Sequence, residues 1–345
     1  MKYSDHFGLD VGASEIKAVY LNQAGSGFKL VSFGLEKLPV NLTAGGDTLD
    51  FEEAANTVKK MIKDLGIGTR KVAVSVPEAQ VYTRVIEVPV ISDSELESAI
   101  HWEAEQYVPI PIADVLLRYQ ILNKPEKAAP GSKMDVLLVA APNTVIEKYM
   151  KLCKMTGLEL VGIETEILAV SRALVGNDPY SPTSLIVSFG GASTDLAVVK
   201  KGSLSFVRSL TTGGNAVTRS VMADLKMDEN QAEEYKRTYG MDQEQLGGKV
   251  LAAISPVVEM IISEIKRAIA FYQSKRPDDP IKRAVLVGGM AKMPGLVNYL
   301  GQALTLEVQV GDPFTNIVKT EKQSQSLGDN LPVYATAAGL ALKEE

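Results

Sequence analysis

The stretch LDVGASEIKAV, residues 9–19, shares its pattern with VSFGGASTDLAVV, residues 187–199, far downstream. Each is an apolar strand, a tight turn of Gly, Ala and Ser, and a second apolar strand. Small residues at such a turn let backbone N–H groups approach a phosphate, because no bulky side chain stands in the way. Two such turns in one chain predict two related half-domains closing on one phosphate chain. Taken singly, each also reads as an ordinary surface hairpin.

The rest of the chain has a globular composition. It has 345 residues, 46% of them apolar and 23% charged, enough for two or three domains with full cores. A formal net charge of -6 without a basic block argues against nucleic acid as a partner. The single cysteine, Cys153, cannot form an internal disulfide. It lies in an apolar, helix-like stretch and reads as a buried small hydrophobe in a reducing compartment. His6 and His101 are far apart, with no Cys/His spacing near either, which argues against a zinc site or a histidine-based triad. No signal peptide is visible before the first strand, and no apolar run reaches the roughly 18–20 residues of a membrane span. The expectation is a soluble protein that meets a membrane only through partners.

Strands and helices alternate, which predicts an α/β fold. Three strands are expected at about 6–12, 15–22 and 27–37, then a helix at about 51–65 and the strand KVAVSVP. An unlike block follows at 78–155. It holds the strand VYTRVIEV and a helix opened by Ser92 with Glu95, a capping-box pattern. Two strands joined by the polar linker KPEKAAPGSK and a helix at 143–156 complete the block. Residues 1–77 are read as the first part of a first domain, 78–155 as an inserted α+β subdomain, and 156–183 as the return to the first domain. The turn-rich GNDPYSPT marks a boundary. Residues 184–330 form a second domain with a helical region at 213–275, and 331–345 a connecting helix back to the first. In the last helix of that region Ile254, Val257, Val258, Ile261, Ile265, Ala268 and Tyr272 form a core stripe. Residues 311–330 read as irregular.

Four motifs carry chemistry. In the first hairpin, Asp10 ends an apolar strand, where a carboxylate is costly to bury unpaired. Gly12 and Ser14 form the turn, and Lys17 can reach back over it; a bound Mg²⁺ and polyphosphate would account for the acid and the base together. In the second, Gly190, Gly191, Ser193, Thr194 and Asp195 offer N–H groups and two hydroxyls. LVGGMAKMPGL, residues 286–296, runs from strand through Gly288 and Gly289 into a helix, so a flat ligand can lie on bare backbone. In EEYKRTYG, Glu233, Lys236 and Arg237 share one helix face, which is also the pattern of a solvated ion-paired face.

In this order, phosphate hairpin, second hairpin, polar helix face and Gly-Gly strand end, the chain resembles the actin-like ATPase (RNase H-like) superfamily from end to end. The resemblance implies two α/β domains around a cleft for ATP and Mg²⁺. Asp10, Gly12, Ser14 and Lys17 match the first phosphate loop, with Asp10 toward the metal. Gly190, Gly191, Ser193, Thr194 and Asp195 match the second, and Gly213, Gly214 and Asn215 the glycines before the nucleotide-side helices. Glu233, Lys236 and Arg237 match the adenosine-side helix, and Gly288, Gly289 and Lys292 the adenosine loop. Glu166 falls where an acid stands near the attacking water, so Glu166 and Asp195 are the implied catalytic residues.

The inserted block, HWEAEQYVPIP at 101–111, EIKRAIAFYQS, AKMPGL and GDPF are similar to the FtsA/PilM branch, and closest to the PilM pattern. That resemblance implies a cytoplasmic adaptor of type IV pilus assembly, held at the inner membrane by the N-terminal cytoplasmic peptide of PilN and standing beside the pilus motor ATPases. It implies a peptide groove between first domain and inserted subdomain, with 81–88 and 92–108 as walls, and self-association is a partner mode of the fold class. The chain stops after the connecting helix without the amphipathic anchor expected of FtsA. The family's usual acid two residues before the first glycine of the second loop is Ser188 here, which implies slow hydrolysis or none. An FtsA-like cell-division protein and a small-molecule kinase of the same superfamily remain alternative readings.

Overall fold

A computed structural model describes residues 4–25, 27–38, 48–125, 129, 131–175 and 181–344. Among these the strands form three sheets. The first is built on β1 (Phe7–Val11), buried along its whole length. Its neighbours are β2 (Glu15–Ala24), antiparallel, and β4 (Lys71–Val76), parallel. β3 (Gly27–Lys37) flanks β2, and β8 (Glu159–Thr165) flanks β4. Helices α1 (Thr48–Asp64) and α3 (Asn143–Thr156) cover one face, burying Phe51, Val58 and Met61 against Tyr149, Leu152 and Cys153. A β-strand alternates its faces, so a strand buried throughout needs cover on both sides. The second cover is α4 (Glu166–Leu174) and the small-residue helix α10 (Ala335–Ala341).

The second sheet repeats this plan. β9 (Ser184–Phe189), β10 (Thr194–Lys200) and β11 (Ser203–Leu210) are antiparallel, and β12 (Arg283–Gly288) and β13 (Glu307–Val310) continue from β9 in parallel. The order β11-β10-β9-β12-β13 mirrors β3-β2-β1-β4-β8. Helices α5 (Gly214–Leu225), α6 (Glu229–Tyr239), α7 (Lys249–Lys275) and α8 (Leu296–Leu304) complete this half. In the α7 stripe Ile254, Val258, Ile261, Ile265, Ala268 and Tyr272 are core, while Val257 is half-buried. The helix over Gln245–Lys275 is long and apolar enough, by length and composition, to cross a membrane. This corrects the expectation that no segment was. One face of it is the core of this half, as in an amphipathic helix of a globular domain.

The third sheet, β5-β7-β6, comprises β5 (Tyr82–Pro89), β6 (Val115–Asn123) and β7 (Lys133–Pro142). Helix α2 (Asp93–Tyr107) packs Leu96, Ile100 and Ala104 on it. Its start carries the expected reciprocal cap: Ser92 accepts from the Glu95 N–H, and Glu95 accepts from the Ser92 N–H. Leu137 of β7 joins Ile167 and Val170 of α4 and Ile186 and Ala197 of the second sheet in one cluster, so the second and third sheets meet against α4, the helix that covers the first. Arg276, just past α7, pairs with Glu87 of β5 and Asp135 of β7 at the same junction.

Residues 311–330 are not irregular throughout. β14 (Ile317–Val318) pairs with β3, and α9 (Glu321–Leu327) has a Thr320/Gln323 capping box. The two-residue strand and seven-residue helix are too short to show periodicity. Within the expected boundary GNDPYSPT, residues 176–180 lie outside the described residues, as do 126–128 and 130 of the β6–β7 linker.

Where α10 crosses α4, a Cβ on Gly339 would stand 1.8 Å from the Ala169 carbonyl oxygen, and one on Gly8 2.1 Å from the Ala337 oxygen. Arg172 ties the crossing by donating to the Gly339 carbonyl at 2.6 Å and to Glu164 at 2.5 Å. Gly339→Val is expected to destabilise the chain by at least about 3 kcal/mol, beyond ordinary overpacking because the obstacle is backbone. The shift of the urea midpoint measures it.

Candidate functional site

The two turns that opened the sequence are built alike. The Gly12 N–H donates to the Glu15 carbonyl at 3.0 Å, and the Gly190 N–H to the Ser193 carbonyl at 2.9 Å. They also meet: a Cβ on Gly191 would lie 3.4 Å from Ser14 Oγ and 3.3 Å from Asn215 Oδ1. Between the two halves opens a cleft of about 950 Å³.

Asp10 and Lys17 are register partners across β1 and β2. Lys17 Nζ lies 3.8 Å from Asp10 and 3.4 Å from Glu15, and Ser75 on β4 donates to Asp10 at 3.1 Å. Burial raises the Asp10 pKa, with Lys17 pulling the other way. Glu166 opens α4 and lines the same cleft. Burial, then the charges of Asp10 and Asp195, push its carboxyl well above the carboxylate range. Asp195 accepts from Ser209 at 2.5 Å and Ser193 at 3.3 Å. Burial lifts it to about 6, against those two hydroxyls.

Gly12, Ser14, Gly190, Gly191, Ser193, Gly214, Asn215, Gly288, Gly289 and Lys292 all line the cleft, and so does Ser188. Two expected residues do not. Thr194 is fully buried and its hydroxyl donates to the Thr212 carbonyl at 2.7 Å, because alternation turns it to the face opposite Asp195. Gly213 serves packing: a Cβ there would lie 2.6–2.8 Å from the carbonyl oxygens of Gly190, Gly191 and Ser193. The N–H groups of Gly214 and Asn215 donate to the Gly190 and Gly191 carbonyls, both at 2.9 Å, stitching the start of α5 to the second turn.

On α6, Glu233, Lys236 and Arg237 face the cleft. Lys236 is buried, and its ammonium donates to Glu233 at 2.5 Å, Thr218 at 2.9 Å and the Gly214 carbonyl at 3.3 Å. It is therefore not the solvated surface pair that its spacing also allowed. Arg237 pairs with Glu233 at 3.7 Å. Lys292 donates to Asn330, and its pKa is lowered by burial and by nearby Arg237. At Gly288, φ is +85° and a Cβ would meet the Phe189 carbonyl at 2.1 Å, so only glycine fits.

Sequence reasoning missed Ser75, Ser209, Thr218 and Asn330. Ser75 had a signal, a hydroxyl inside the apolar strand KVAVSVP. The other three had none, because each meets its partner only through tertiary contact.

Bare backbone at a strand end, two small-residue turns face to face, and cations beside carboxylates are the donor set a nucleoside polyphosphate requires, and the residues fit such a ligand. The duplicated sheet plan and the cleft between its halves define an actin-like ATPase fold. The ADP-bound MreB5 of Spiroplasma citri shares it at 14% identity, with a TM-score of 0.52 over 98% of this chain and 95% of that one. A family model described as type IV pilus assembly protein PilM matches residues 8–345, and the chain belongs to that family. A solved PilM–PilN type IV pilus biogenesis complex is similar at 26% identity and a TM-score of 0.87, over 99% of this chain and 98% of that one. The cell division protein FtsA of Bacillus subtilis is 21% identical over 96% of this chain and 81% of its own length.

Lys236 is buried and holds three acceptors at once, of which only Glu233 is substantially exposed. Lys236→Met is expected to cost about 1–3 kcal/mol of unfolding free energy, as buried polar partners left unsatisfied do. Urea denaturation reads the loss directly.

Proposed function

We propose that this chain is a nucleotide-binding adaptor of type IV pilus assembly. It binds ATP in the cleft and a peptide of an inner-membrane partner on its first half. The observation that carries the nucleotide reading is the meeting of Ser14, Gly191 and Asn215 at the turn-to-turn contact. Asp10 is the residue that would hold Mg²⁺, which when bound neutralises phosphate charge. Lys17 is placed to pair with phosphate oxygens, and Lys236, Arg237 and Lys292 with the far end of the ligand. Gly288 and Gly289 leave backbone for a flat base.

The partner reading rests on the family and on the PilM–PilN complex. By it the chain is cytoplasmic and reaches the inner membrane by binding the N-terminal cytoplasmic peptide of PilN, next to the motor ATPases. The walls of the peptide groove are 81–88 and 92–108, and self-association belongs to the same reading. The domain limits drawn from the sequence, with the inserted unit at 78–155, are proposed with it. Because the cleft lies between two halves, its occupancy biases their closure, and a groove at their junction is coupled to it.

Calorimetric titration with MgATP tests the cleft. Wild type is expected to bind, and Gly191→Val to lose at least about tenfold in affinity with its melting temperature kept, since the added methyls enter the space between Ser14 and Asn215. Equal affinities sink the assignment. Turnover at saturating MgATP is expected to stay far below about one per second. A faster rate would refute the inference drawn from Ser188. A PilN-type N-terminal peptide is expected to bind with different dissociation constants with and without ATP. Identical constants remove the coupling.

A further inference from the structure

Glu78 has no part in the site described above. It opens the short turn Glu78–Gln80 that leads from β4 into β5, where the first sheet passes into the inserted one. The residue is 3% exposed, and neither carboxylate oxygen has a hydrogen-bond partner among the described residues. The hydroxyls of Thr83 on β5 and Thr165 at the cap of α4 are buried and unpartnered beside it. These two, with the Ile167 N–H in the first turn of α4, are the donors near the carboxyl, close enough to favour its charge without closing a hydrogen bond, and the Asp195 charge opposes it from the second sheet. Glu166 feels Glu78 in turn. One buried acid thus stands among all three sheets.

Its neighbour Ala79 lines the cleft and also a smaller pocket of about 310 Å³ behind it, and Thr211 lines both. The other ionisable groups of that pocket are Tyr82 and Arg84 on β5 and Tyr107 on α2, with the Arg84 guanidinium stacked 3.7 Å from the Tyr107 ring centre. A carboxyl in such a place is costly to ionise. Burial and the Asp195 charge raise it to about 7, so small changes of charge in the cleft decide its state. MgATP keeps a net negative charge, and filling the cleft also removes water. Both favour the protonated form.

We propose that Glu78 is a proton-holding coupling residue: it takes up a proton when an anionic nucleotide fills the cleft and gives it up when the cleft empties. This deepens the nucleotide reading above and rests on it. The proton moves between solvent and the Glu78 carboxyl, and no other bond changes. Ionised Glu78 must draw the Thr83 and Thr165 hydroxyls onto itself or admit water, which shifts the root of β5 against α4. Cleft occupancy is thereby transmitted to the inserted sheet.

Two measurements on the full chain test this. The first needs no nucleotide. The pKa is raised on folding, from 4.5 to about 7. The folded state therefore holds more protons between those values, and stability falls as pH rises through that window and levels off above it. Relative to Glu78→Gln, which cannot titrate, the wild-type folding constant should fall by on the order of 100-fold across the window. A parallel pH dependence of the two chains, or a Gln chain that does not fold, overturns the proposal. The second is calorimetry of MgATP binding near pH 7.5, in two buffers of different ionisation enthalpy. Proton uptake is expected to be larger in wild type than in Glu78→Gln, where only cleft acids such as Asp195 and Glu166 remain to take protons. Equal proton counts overturn the coupling. Failure of wild type to bind MgATP overturns both readings, and is recognised because the first measurement still separates the two chains.

Discussion

Asp10 sets the terms for the whole cleft. It sits on the central strand of the first sheet, where burial opposes its charge. The Lys17 ammonium on the neighbouring strand and the Ser75 hydroxyl on the other side offset that cost. The hairpin register that places Lys17 opposite Asp10 is thus an electrostatic requirement as much as a topological one. A slip of one residue would turn Lys17 into the core and leave the carboxylate unpaired. Glu166 lies in the same volume, where the charges of Asp10 and Asp195 both raise the cost of ionising it. A concave site that holds acids against their preference has the mark of a functional site.

The second half uses the same scaffold for a different end. Its turn closes with the same Gly N–H to carbonyl bond as the first, and Gly213 is held against it by close approach. Gly190 and Gly191 take the first N–H groups of α5 on their carbonyls, and Gly213 lies flat on the same atoms. Helix starts leave N–H groups unsatisfied, and here the turn satisfies two of them. The backbone of the second turn is therefore tied down: moving it means moving α5, and with it Lys236 through its contacts to Gly214 and Thr218.

Much of this was legible in the sequence, and the reasons are specific. The three opening strands and the α7 stripe follow from apolar periodicity, and the start of α2 from Ser92 and Glu95. The duplicated turns announced the duplicated sheets because one strand, small-residue turn, strand pattern occurs twice; either copy alone is an ordinary hairpin. The Thr194 side chain falls off the cleft lining because a motif read as a string ignores alternation: Ser193 and Asp195 engage each other beside the cleft while Thr194 faces away. β14 and α9 escaped because their order comes from β3 and from a cap, not from a pattern of their own. Glu78 was invisible for a better reason. Nothing in VPEAQV marks an acid that will be enclosed by three sheets, since enclosure is a property of topology alone.

Holding a nucleotide and cleaving it make different demands. Holding needs bare backbone, cations and a shaped volume, and the cleft has these. Cleavage of a phosphate by water needs, in addition, a group able to orient the water and take its proton. The position two residues before Gly190 carries a hydroxyl, Ser188, but register puts Asp195 directly across from it on β10. The acid is displaced by one strand rather than lost. Its carboxylate, however, is engaged by Ser209 and Ser193. The remaining carboxyl at the cleft floor is Glu166, which burial and the charges of Asp10 and Asp195 push well above the carboxylate range. The cleft thus supplies what occupancy requires, and its acids are the groups whose charge any occupant must meet.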